Sequence, residues 1–155
     1  MNAALTMRPW RQDDGPACER ILRALPDWFG IERALVAYVH DLVTLDTEVA
    51  EIDGTIVGFL GLRRHNPHAA EIHVMAVEPA RHRAGIGRVL VERAEARLRG
   101  DGVALLQVKT RGPSAPDPHY DRTRRFYEAL GFLPLEETTV FWGEEDPCLV
   151  MVKPL

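Results

Sequence analysis

The sequence predicts an α/β fold built around a strand–helix–strand unit whose two strands are parallel. Ala70–Val77 is a predicted strand, and Val103–Val108 is predicted to be the next one. Between them, apolar residues recur at spacings of three and four, which is typical of a helix with one buried face. A crossover of this kind is right-handed and makes its two strands parallel.

The first half of the chain supplies two strands and two helices before that unit. Asp53-Gly54 lies between two apolar runs, and this dipeptide is a strong signal for an antiparallel hairpin. Asp13 or Asp14 is a suitable N-cap for the first helix. In chain order, the predicted elements are a strand at Leu5–Pro9, a helix through Ala17, Ile21 and Leu22, a helix at Ile31–Leu42, and hairpin strands at Val49–Ile52 and Ile56–Leu62.

The second half continues from the crossover helix, which Gly100 and Gly102 are predicted to end. A long irregular segment at Thr110–His119 is rich in Gly, Pro, Ser and Asp, a composition common in functional or mobile loops. The other predicted features are the buried helix face Ile86, Val89, Leu90, Ala94 and Leu98, a helix at Thr123–Leu130 stopped by Gly131, and antiparallel strands at Phe132–Phe141 and Cys148–Val152.

Length and composition limit the classes of protein. The 155 residues, 46% of them hydrophobic, suit one domain over residues 1–155. The formal net charge is -4 and the basic residues are dispersed, so nucleic-acid binding is disfavoured. We find neither a secretory signal pattern nor an apolar run of ~18 residues, and we therefore expect a cytoplasmic protein that does not bind membranes.

The cysteine and histidine residues do not form a metal-binding pattern. Cys18 and Cys148 lack metal-ligand spacing and suit reduced core positions. His65, His68 and His73 lack an evident carboxylate-backed ligand set. The sequence therefore predicts no metal site.

The segment from Glu71 to Leu90 carries the main functional signal. It reads EIHVMAVEPARHRAGIGRVL, so an apolar strand leads into a basic, glycine-containing turn and then into a helix. The first N–H groups of a helix lack intrahelical partners, and the macrodipole adds positive potential, so this junction favours a pyrophosphate. Gly85 and Gly87 would allow close approach. The alternative is a glycine turn that only caps the helix.

The same segment resembles the acetyl-CoA signature of the Gcn5-related N-acetyltransferase (GNAT) superfamily, Gln/Arg-x-x-Gly-x-Gly/Ala. The first position is His82, where Gln or Arg is usual. The resemblance extends over nearly the whole chain and implies a GNAT-like mixed, twisted β-sheet flanked by helices, with a central β-α-β acyl-CoA-binding unit. It implies acetyl-CoA as cosubstrate, contacted by Met75, Ala76, Val77, His82, Arg83, Ala84, Gly85, Ile86 and Gly87.

The resemblance also assigns a general base. A glutamate at the position matching Glu71 commonly deprotonates the incoming amine in this family, often through water. Glu71, His73 and Met75 share one face of the predicted strand because side chains alternate. His73 is a second candidate base, since an imidazole pKa of ~6.5 suits proton transfer at neutral pH. Either residue could instead be structural, Glu71 at the surface and His73 within the strand.

A general acid is implied by the segment from Arg124 to Phe132, which resembles the family's Phe-Tyr-x-x-x-Gly-Phe sequence. Tyr127 occupies the position of the acid that protonates the leaving thiolate. The alternative is a tyrosine that only packs in the core. Many relatives have a cofactor-contacting Asn seven residues earlier, where this chain has Tyr120, which could stack on the cofactor or close the preceding loop.

We therefore predict an acetyl-CoA-dependent N-acetyltransferase whose acceptor amine, a small molecule or a peptide, attacks directly. Neither an activated cysteine pattern nor a Gly-x-Ser-x-Gly elbow is present, so a covalent enzyme intermediate is not indicated. The alternative is a non-catalytic acyl-CoA-binding module that senses cofactor or regulates a partner. The acceptor, the acyl length and the oligomeric state stay open, a homodimer included.

Two aromatic pairs could line an acceptor pocket, Trp28-Phe29 and Phe141-Trp142, the second with Glu144, Glu145 and Asp146.

Overall fold

The computed structural model describes residues 3–155, and in that range seven β-strands and four α-helices form a mixed α/β fold. The elements are β1 Leu5–Pro9, α1 Gly15–Arg23, α2 Glu32–Asp41, β2 Asp46–Ile52, β3 Thr55–Asn66, β4 Ala69–Val77, α3 Ile86–Gly100, β5 Leu105–Arg111, α4 Pro118–Ala129, β6 Leu133–Thr138 and β7 Cys148–Pro154. The hydrogen-bonded strand order is β1-β2-β3-β4-β5-β7-β6. The predicted α/β class and the strand–helix–strand unit are confirmed.

The chain divides into two compact units. The first comprises the chain up to Arg63 together with His73–Arg97, and the second comprises Arg64–Ile72 and Leu98–Leu155. The single domain over residues 1–155 stays a prediction, and its first two residues lie outside the described residues.

In the first unit, the hairpin forms where Asp53-Gly54 predicts it. Strands β2 and β3 are antiparallel, and Ile52 pairs with Thr55 across the turn. Asp53 has φ 53° and Gly54 has φ 75°, so both central residues are in the left-handed region. A two-residue turn of this kind matches the twist of the flanking strands, which explains why this dipeptide predicts the hairpin.

Helix α1 follows an aspartate as predicted, although the capping interaction differs. Asp14 occupies the N-cap position without a side-chain cap bond to the helix. Its carboxylate instead accepts two hydrogen bonds from the Arg8 guanidinium, both 2.8 Å long, and one from the Arg11 N–H. The hydrogen bond from Arg8 is the main reason that the pKa of Asp14 lies below its ordinary value. Asp14 therefore ties α1 to β1.

One apolar core fills the first unit. The buried face of α1 consists of Cys18, Ile21 and Leu22, whereas Ala17, which the sequence places in the same helix, is only partly buried. Val74 and Ala76 of β4 belong to the same cluster. The C-terminal half of β4 is therefore held by apolar packing. The other buried members are Leu25, Leu35, Leu42, Val49, Ile56 and Phe59.

The buried face of α3 differs from the prediction by one residue. Ile86, Leu90 and Ala94 are buried as expected, but Val91 is fully buried whereas Val89 is only partly buried. Both valines are adjacent to Leu90, so spacing alone does not distinguish them.

In the second unit, β4 and β5 are parallel as predicted. Their register runs from Ala69 opposite Leu105 to Ile72 opposite Val108. The predicted start of β5 at Val103 is wrong, because the Val103 N–H donates to the Leu98 carbonyl and completes the turn that follows α3. Gly102, at φ +82°, forms this turn. The antiparallel pairing of the last two strands is confirmed.

Helix α4 begins five residues earlier than predicted, at Pro118 rather than Thr123. Asp117 is its N-cap, and the Asp117 carboxylate accepts a hydrogen bond from the His119 N–H at 2.8 Å. Proline is favourable at the first helical position because its missing N–H would have no helical acceptor. The irregular segment is therefore shorter than the predicted Thr110–His119 and covers only residues 112–117.

The two cysteines are free and buried, as predicted. Burial raises the pKa of the Cys18 thiol from 9.0 to about 12, and it raises that of the Cys148 thiol to about 11. Above about pH 9 these thiols ionise in the unfolded chain and stay protonated in the folded one. We therefore expect stability to be constant with respect to these thiols below pH ~9 and to fall as the pH rises toward 12.

Cys18 alone contributes a slope of up to ~1.4 kcal/mol per pH unit to this loss. Urea unfolding of the wild type and of Cys18→Ala between pH 7 and 10.5 measures it. The variant is less stable at pH 7 because it loses packing, but its stability falls less steeply above pH 9. Equal slopes in the two proteins would contradict the assignment.

Candidate active site

The predicted cofactor turn lies in the first unit, between the end of β4 and the start of α3. Pro79–Arg81 forms a short 3₁₀ turn, and the Glu78 N–H donates to the Val57 carbonyl at 2.8 Å. Arg83 has φ +65° and Gly85 has φ +81°, so the backbone turns twice through the left-handed region before α3 begins. The sequence RAGIG thus forms a compact turn that ends at a helix N-terminus.

The backbone geometry of this turn suits a phosphate group. A Cβ built on Gly85 meets nothing within 4 Å, so the space beside this residue is accessible. The Val89 N–H donates to the Gly85 carbonyl at 3.1 Å. The N–H groups of Ile86, Gly87 and Arg88 therefore precede the first helical hydrogen bond and remain available at the positive end of the helix dipole. These residues fit the pyrophosphate of coenzyme A.

His82 contributes to the turn through its ring. Its Nε2 lies 2.8 Å from the Val77 carbonyl oxygen, and its ring contacts Trp28 edge-on with the centroids 6.2 Å apart. With a proton on Nε2, the imidazole donates to this carbonyl and closes the loop between β4 and α3. The structure therefore gives His82 a structural partner. Ala84 lies on the same turn, and its N–H is directed to the Arg81 carbonyl at 3.3 Å.

Gly58 on β3 contributes to this region and was not among the predicted site residues. A Cβ at Gly58 would lie 3.2 Å from the Ala76 carbonyl oxygen and 3.4 Å from side-chain atoms of Val77 and Ile86. Because glycine has no Cβ, β3 approaches the end of β4 and the first residue of α3 without a tight contact to the Ala76 carbonyl. The signal in the sequence is a glycine inside an apolar strand pattern. Met75 lies on the same end of β4 and is half-buried.

Glu71 lies in the second unit and is buried, not at the surface. Its Oε1 accepts a hydrogen bond from Gln107 Nε2 at 2.7 Å and forms an ion pair with Lys109 Nζ at 3.2 Å. Its Oε2 lies 4.0 Å from His65 Nε2. A buried carboxylate needs partners of this kind, because an unpaired charge would be costly to remove from water. The alternative of an exposed carboxylate is wrong.

The two β5 partners of Glu71 were not among the predicted site residues. Glu71 is directly opposite Gln107 in the parallel register. Alternation puts Lys109 on the same face as Gln107. With β4 and β5 aligned, the sequence would have indicated both partners. The predicted start of β5 was two residues early, however, and its register against β4 was unknown.

His73 lies in the first unit and is held by a carboxylate and an aromatic ring. Its Nε2 is 3.0 Å from Asp41 Oδ2, and its ring contacts Tyr38 edge-on with centroids 5.5 Å apart. Arg63 Nη2 lies 3.9 Å from the same Asp41 oxygen. A carboxylate on one imidazole nitrogen fixes the ring orientation and favours a proton on that nitrogen. The Nδ1 atom would then be the proton acceptor.

Tyr127 is buried in the second unit, on the inner face of α4. Its ring contacts Phe126 and Phe132 edge-on, with centroids 5.2 and 5.4 Å apart. Burial raises the pKa of the phenol well above its ordinary value, so the hydroxyl keeps its proton through the neutral and mildly alkaline range. Tyr120 lies in the first turn of the same helix and is half-buried.

The two predicted aromatic pairs have different surroundings. Phe29 contacts Tyr38 edge-on, and Trp28 contacts His82, so the first pair packs within the first unit. Phe141 and Trp142 are 52% and 42% exposed in the segment between β6 and β7 of the second unit. Lys109 Nζ lies 4.2 Å from the Phe141 ring centroid. The second pair is therefore accessible to a ligand, with Lys109 on one ring face.

Across residues 3–155, no cluster of three or more His, Cys, Asp or Glu side chains could hold a metal ion. In the same range, no helix has the length and apolar character required to cross a bilayer.

Comparisons with known proteins assign the chain to a protein family. Residues 34–134 match the family model described as "Acetyltransferase (GNAT) domain", which covers more than half of the chain. The matched family is one of acetyltransferases. The chain is a member of the GNAT family, and the resemblance seen in its sequence is confirmed.

Individual relatives agree with this assignment. The chain is 31% identical over 108 residues to a mycothiol acetyltransferase from Beutenbergia cavernae, with 70% of the chain aligned. It spans only 31% of that relative's length. Among solved structures, Ard1 from Thermoplasma volcanium superposes with a TM-score of 0.80 at 20% identity, covering 98% of each chain. An aminoglycoside 6′-N-acetyltransferase complexed with coenzyme A gives a TM-score of 0.77 at 18% identity, covering 96% of each chain. These two likenesses concern the fold.

Proposed function

We propose that this protein transfers an acetyl group from acetyl-CoA to a primary amine by direct attack on the thioester. The observation that carries the proposal is the turn from Arg83 to Gly87, in which an accessible glycine at φ +81° precedes N–H groups outside the helical hydrogen-bond pattern. Membership of the GNAT family supports the same reaction class. The acceptor is a small-molecule or peptide amine, and the relative named mycothiol acetyltransferase favours testing small molecules first.

In this proposal, the backbone around the turn binds the donor. Acetyl-CoA supplies an activated acetyl group and a thiolate leaving group. The N–H groups of Ile86 and Gly87 hold its pyrophosphate, and backbone groups of Met75, Ala76 and Val77 bind the amides of its pantetheine arm. Arg83 has no ion-pair partner in the part of the chain that the structure describes, so its guanidinium is available for a phosphate.

The proton transfers require two further groups. An alkyl ammonium with a pKa of ~10.4 must lose a proton before it attacks, which costs about 4.6 kcal/mol at pH 7. We assign this step to Glu71, with His73 as the rival base. The leaving thiolate, with a pKa of ~8.5, must gain a proton, and the protonated phenol of Tyr127 is the proposed donor.

A second candidate function is a non-catalytic acyl-CoA-binding module. The observation that favours it is the set of partners around Glu71, since Gln107 and Lys109 already satisfy this carboxylate within the protein. Thiol release from acetyl-CoA, measured across a panel of amines and peptide N-termini, distinguishes the two functions. Release with at least one acceptor supports the transferase. Calorimetric binding of acetyl-CoA without release for any acceptor would favour the module.

Gly85→Val tests the donor site. We expect coenzyme A affinity to fall at least tenfold, equivalent to ~1.4 kcal/mol, because a β-branched residue resists φ +81° and its side chain enters the space beside the turn. Gly102→Val is the matched control, since Gly102 has φ +82° and a Cβ there also meets nothing within 4 Å. Both variants carry backbone strain of ~1–3 kcal/mol.

Isothermal calorimetry with coenzyme A, together with thermal unfolding of both variants, gives the answer. We expect the two variants to lose similar amounts of stability and only Gly85→Val to lose coenzyme A affinity. Equal coenzyme A affinity in the two variants would refute the assignment of the turn.

A further inference from the structure

Lys109 occupies a position between a buried carboxylate and an exposed aromatic ring. Its Nζ lies 3.2 Å from Glu71 Oε1 and 4.2 Å from the centroid of Phe141. The Glu71 side chain is 4% exposed, whereas that of Lys109 is 25% exposed. A carboxylate and an aromatic face around one ammonium constitute a binding site for a primary ammonium group. Lys109 is thus an internal ligand of that site.

We propose that Lys109 is an internal competitor of the acceptor, whose ammonium group takes its place between Glu71 and Phe141. This inference rests on the proposed function for its consequence in turnover, although the cation site itself can be tested without acetyl-CoA. Lys109 has a flexible stem and is partly exposed, so its ammonium can move into water when another cation arrives. It is therefore a specificity-determining residue.

Exchanging the Lys109 ammonium for the acceptor's ammonium conserves the charge at the site. Removing Lys109 without replacement would take a cationic partner from the buried Glu71 carboxylate, which is costly. Replacing one ammonium by another preserves both the ion pair and the cation–π contact. A neutral ligand cannot make this exchange, so the site selects cations.

The segment that bears Phe141 supports a cationic ligand. Glu144 and Glu145 are exposed on it, close in sequence to the ring. Arg111 anchors this segment, since its Nη2 donates to the Glu145 carbonyl at 3.3 Å and lies 3.7 Å from Asp146 Oδ1. The exposed carboxylates would attract an ammonium ion toward the ring.

The test uses n-butylammonium as a minimal cationic probe and n-butanol as its neutral control, with binding measured by NMR titration of the full chain. Lys109→Met removes the competing charge and keeps an unbranched stem. We expect n-butylammonium to bind about tenfold more tightly to this variant than to the wild type, while n-butanol affinity is unchanged. Lys109→Arg keeps a cation in place and should not tighten binding. Unchanged or weaker n-butylammonium binding to Lys109→Met overturns the proposal.

A second variant keeps the test decisive if Lys109→Met does not fold. Phe141 is half exposed, so Phe141→Leu should fold normally, and we expect it to weaken n-butylammonium binding severalfold. Equal affinity in Phe141→Leu and the wild type would overturn the cation site.

Probe binding and amine acetylation together distinguish failure of the competitor role from failure of the proposed transferase. Amine acetylation by the wild type, with no effect of Lys109→Met on probe binding, rejects the competitor role and leaves the transferase standing. Tighter probe binding to Lys109→Met, with no thiol release for any amine, supports the cation site and rejects the transferase.

Discussion

Replacing Tyr127 with Phe is expected to lower kcat by ~10² to 10⁴-fold, the usual contribution of a general acid, while acetyl-CoA affinity stays close to that of the wild type. The substitution keeps the ring that contacts Phe126 and Phe132 and removes only the hydroxyl. The lost rate therefore reports proton donation to the leaving thiolate.

The pH profile gives this experiment a second readout. Burial holds the pKa of Tyr127 well above its ordinary value, so the phenol stays protonated in the neutral and mildly alkaline range. The ratio of wild-type to Tyr127→Phe rates should therefore be constant from pH 6 to 9.5. Steady-state thiol release, with thermal unfolding as the stability control, measures it. A near wild-type rate would show that Tyr127 only packs in the core.

Local signals in the sequence predicted the hairpin between β2 and β3, but they were not recognised at the start of α4. Asp53-Gly54 specified the hairpin because both residues tolerate positive φ. The start of α4 was missed, although Asp117-Pro118 is itself a strong N-terminal signal. Its polar, proline-rich surroundings resembled a loop, and the helix has few apolar residues in its first turns.

The turn before α3, which is the proposed donor site, was predictable from local sequence. Its chemistry depends on consecutive backbone N–H groups and on two glycines, all within six residues. Gly58 was not predicted, because its role depends on the close approach of the Ala76 carbonyl from another strand. A single sequence does not reveal which strand positions meet.

The environment of the candidate bases also depends on contacts that are distant in sequence. Glu71 has partners 36 and 38 positions later on β5, and the Asp41 partner of His73 lies 32 positions earlier on α2. Strand alternation predicted which residues of β4 share a face, but it did not indicate which charged groups the other elements bring to them. For this reason an exposed Glu71 stayed open as the alternative to a catalytic one, whereas the structure shows a buried ion pair.

Glu71→Gln is expected to depress turnover most at neutral pH and to recover at high pH. Near pH 7 the acceptor is almost wholly protonated and depends on a base, whereas near its pKa of ~10.4 the solvent deprotonates it. A loss of ~10² to 10⁴-fold at pH 7 is the expected magnitude. Glutamine keeps an oxygen that can accept the hydrogen bond from Gln107, and Lys109 can turn its ammonium toward water.

Glu48→Gln is the matched control for the loss of a buried charge. Glu48 is 4% exposed and Glu71 3%, and Glu48 forms ion pairs with Arg93 and Arg97 of α3. Both variants should lose stability, because each removes the carboxylate of a buried ion pair. Only Glu71→Gln should show a rate loss that shrinks as the pH rises, since Glu48 is not among the candidate bases.

The same pH series decides between the two candidate bases. A Glu71→Gln loss that persists unchanged up to pH 9.5 would reflect damage to the site rather than loss of a base, and the role would pass to His73. In that case Asp41→Asn should lower the rate at neutral pH, because the His73 ring loses the carboxylate that orients it at 3.0 Å. If Glu71 is the base, Asp41→Asn should change the rate far less than Glu71→Gln does. Measuring kcat/KM for both variants across this pH range therefore assigns the base to one side chain.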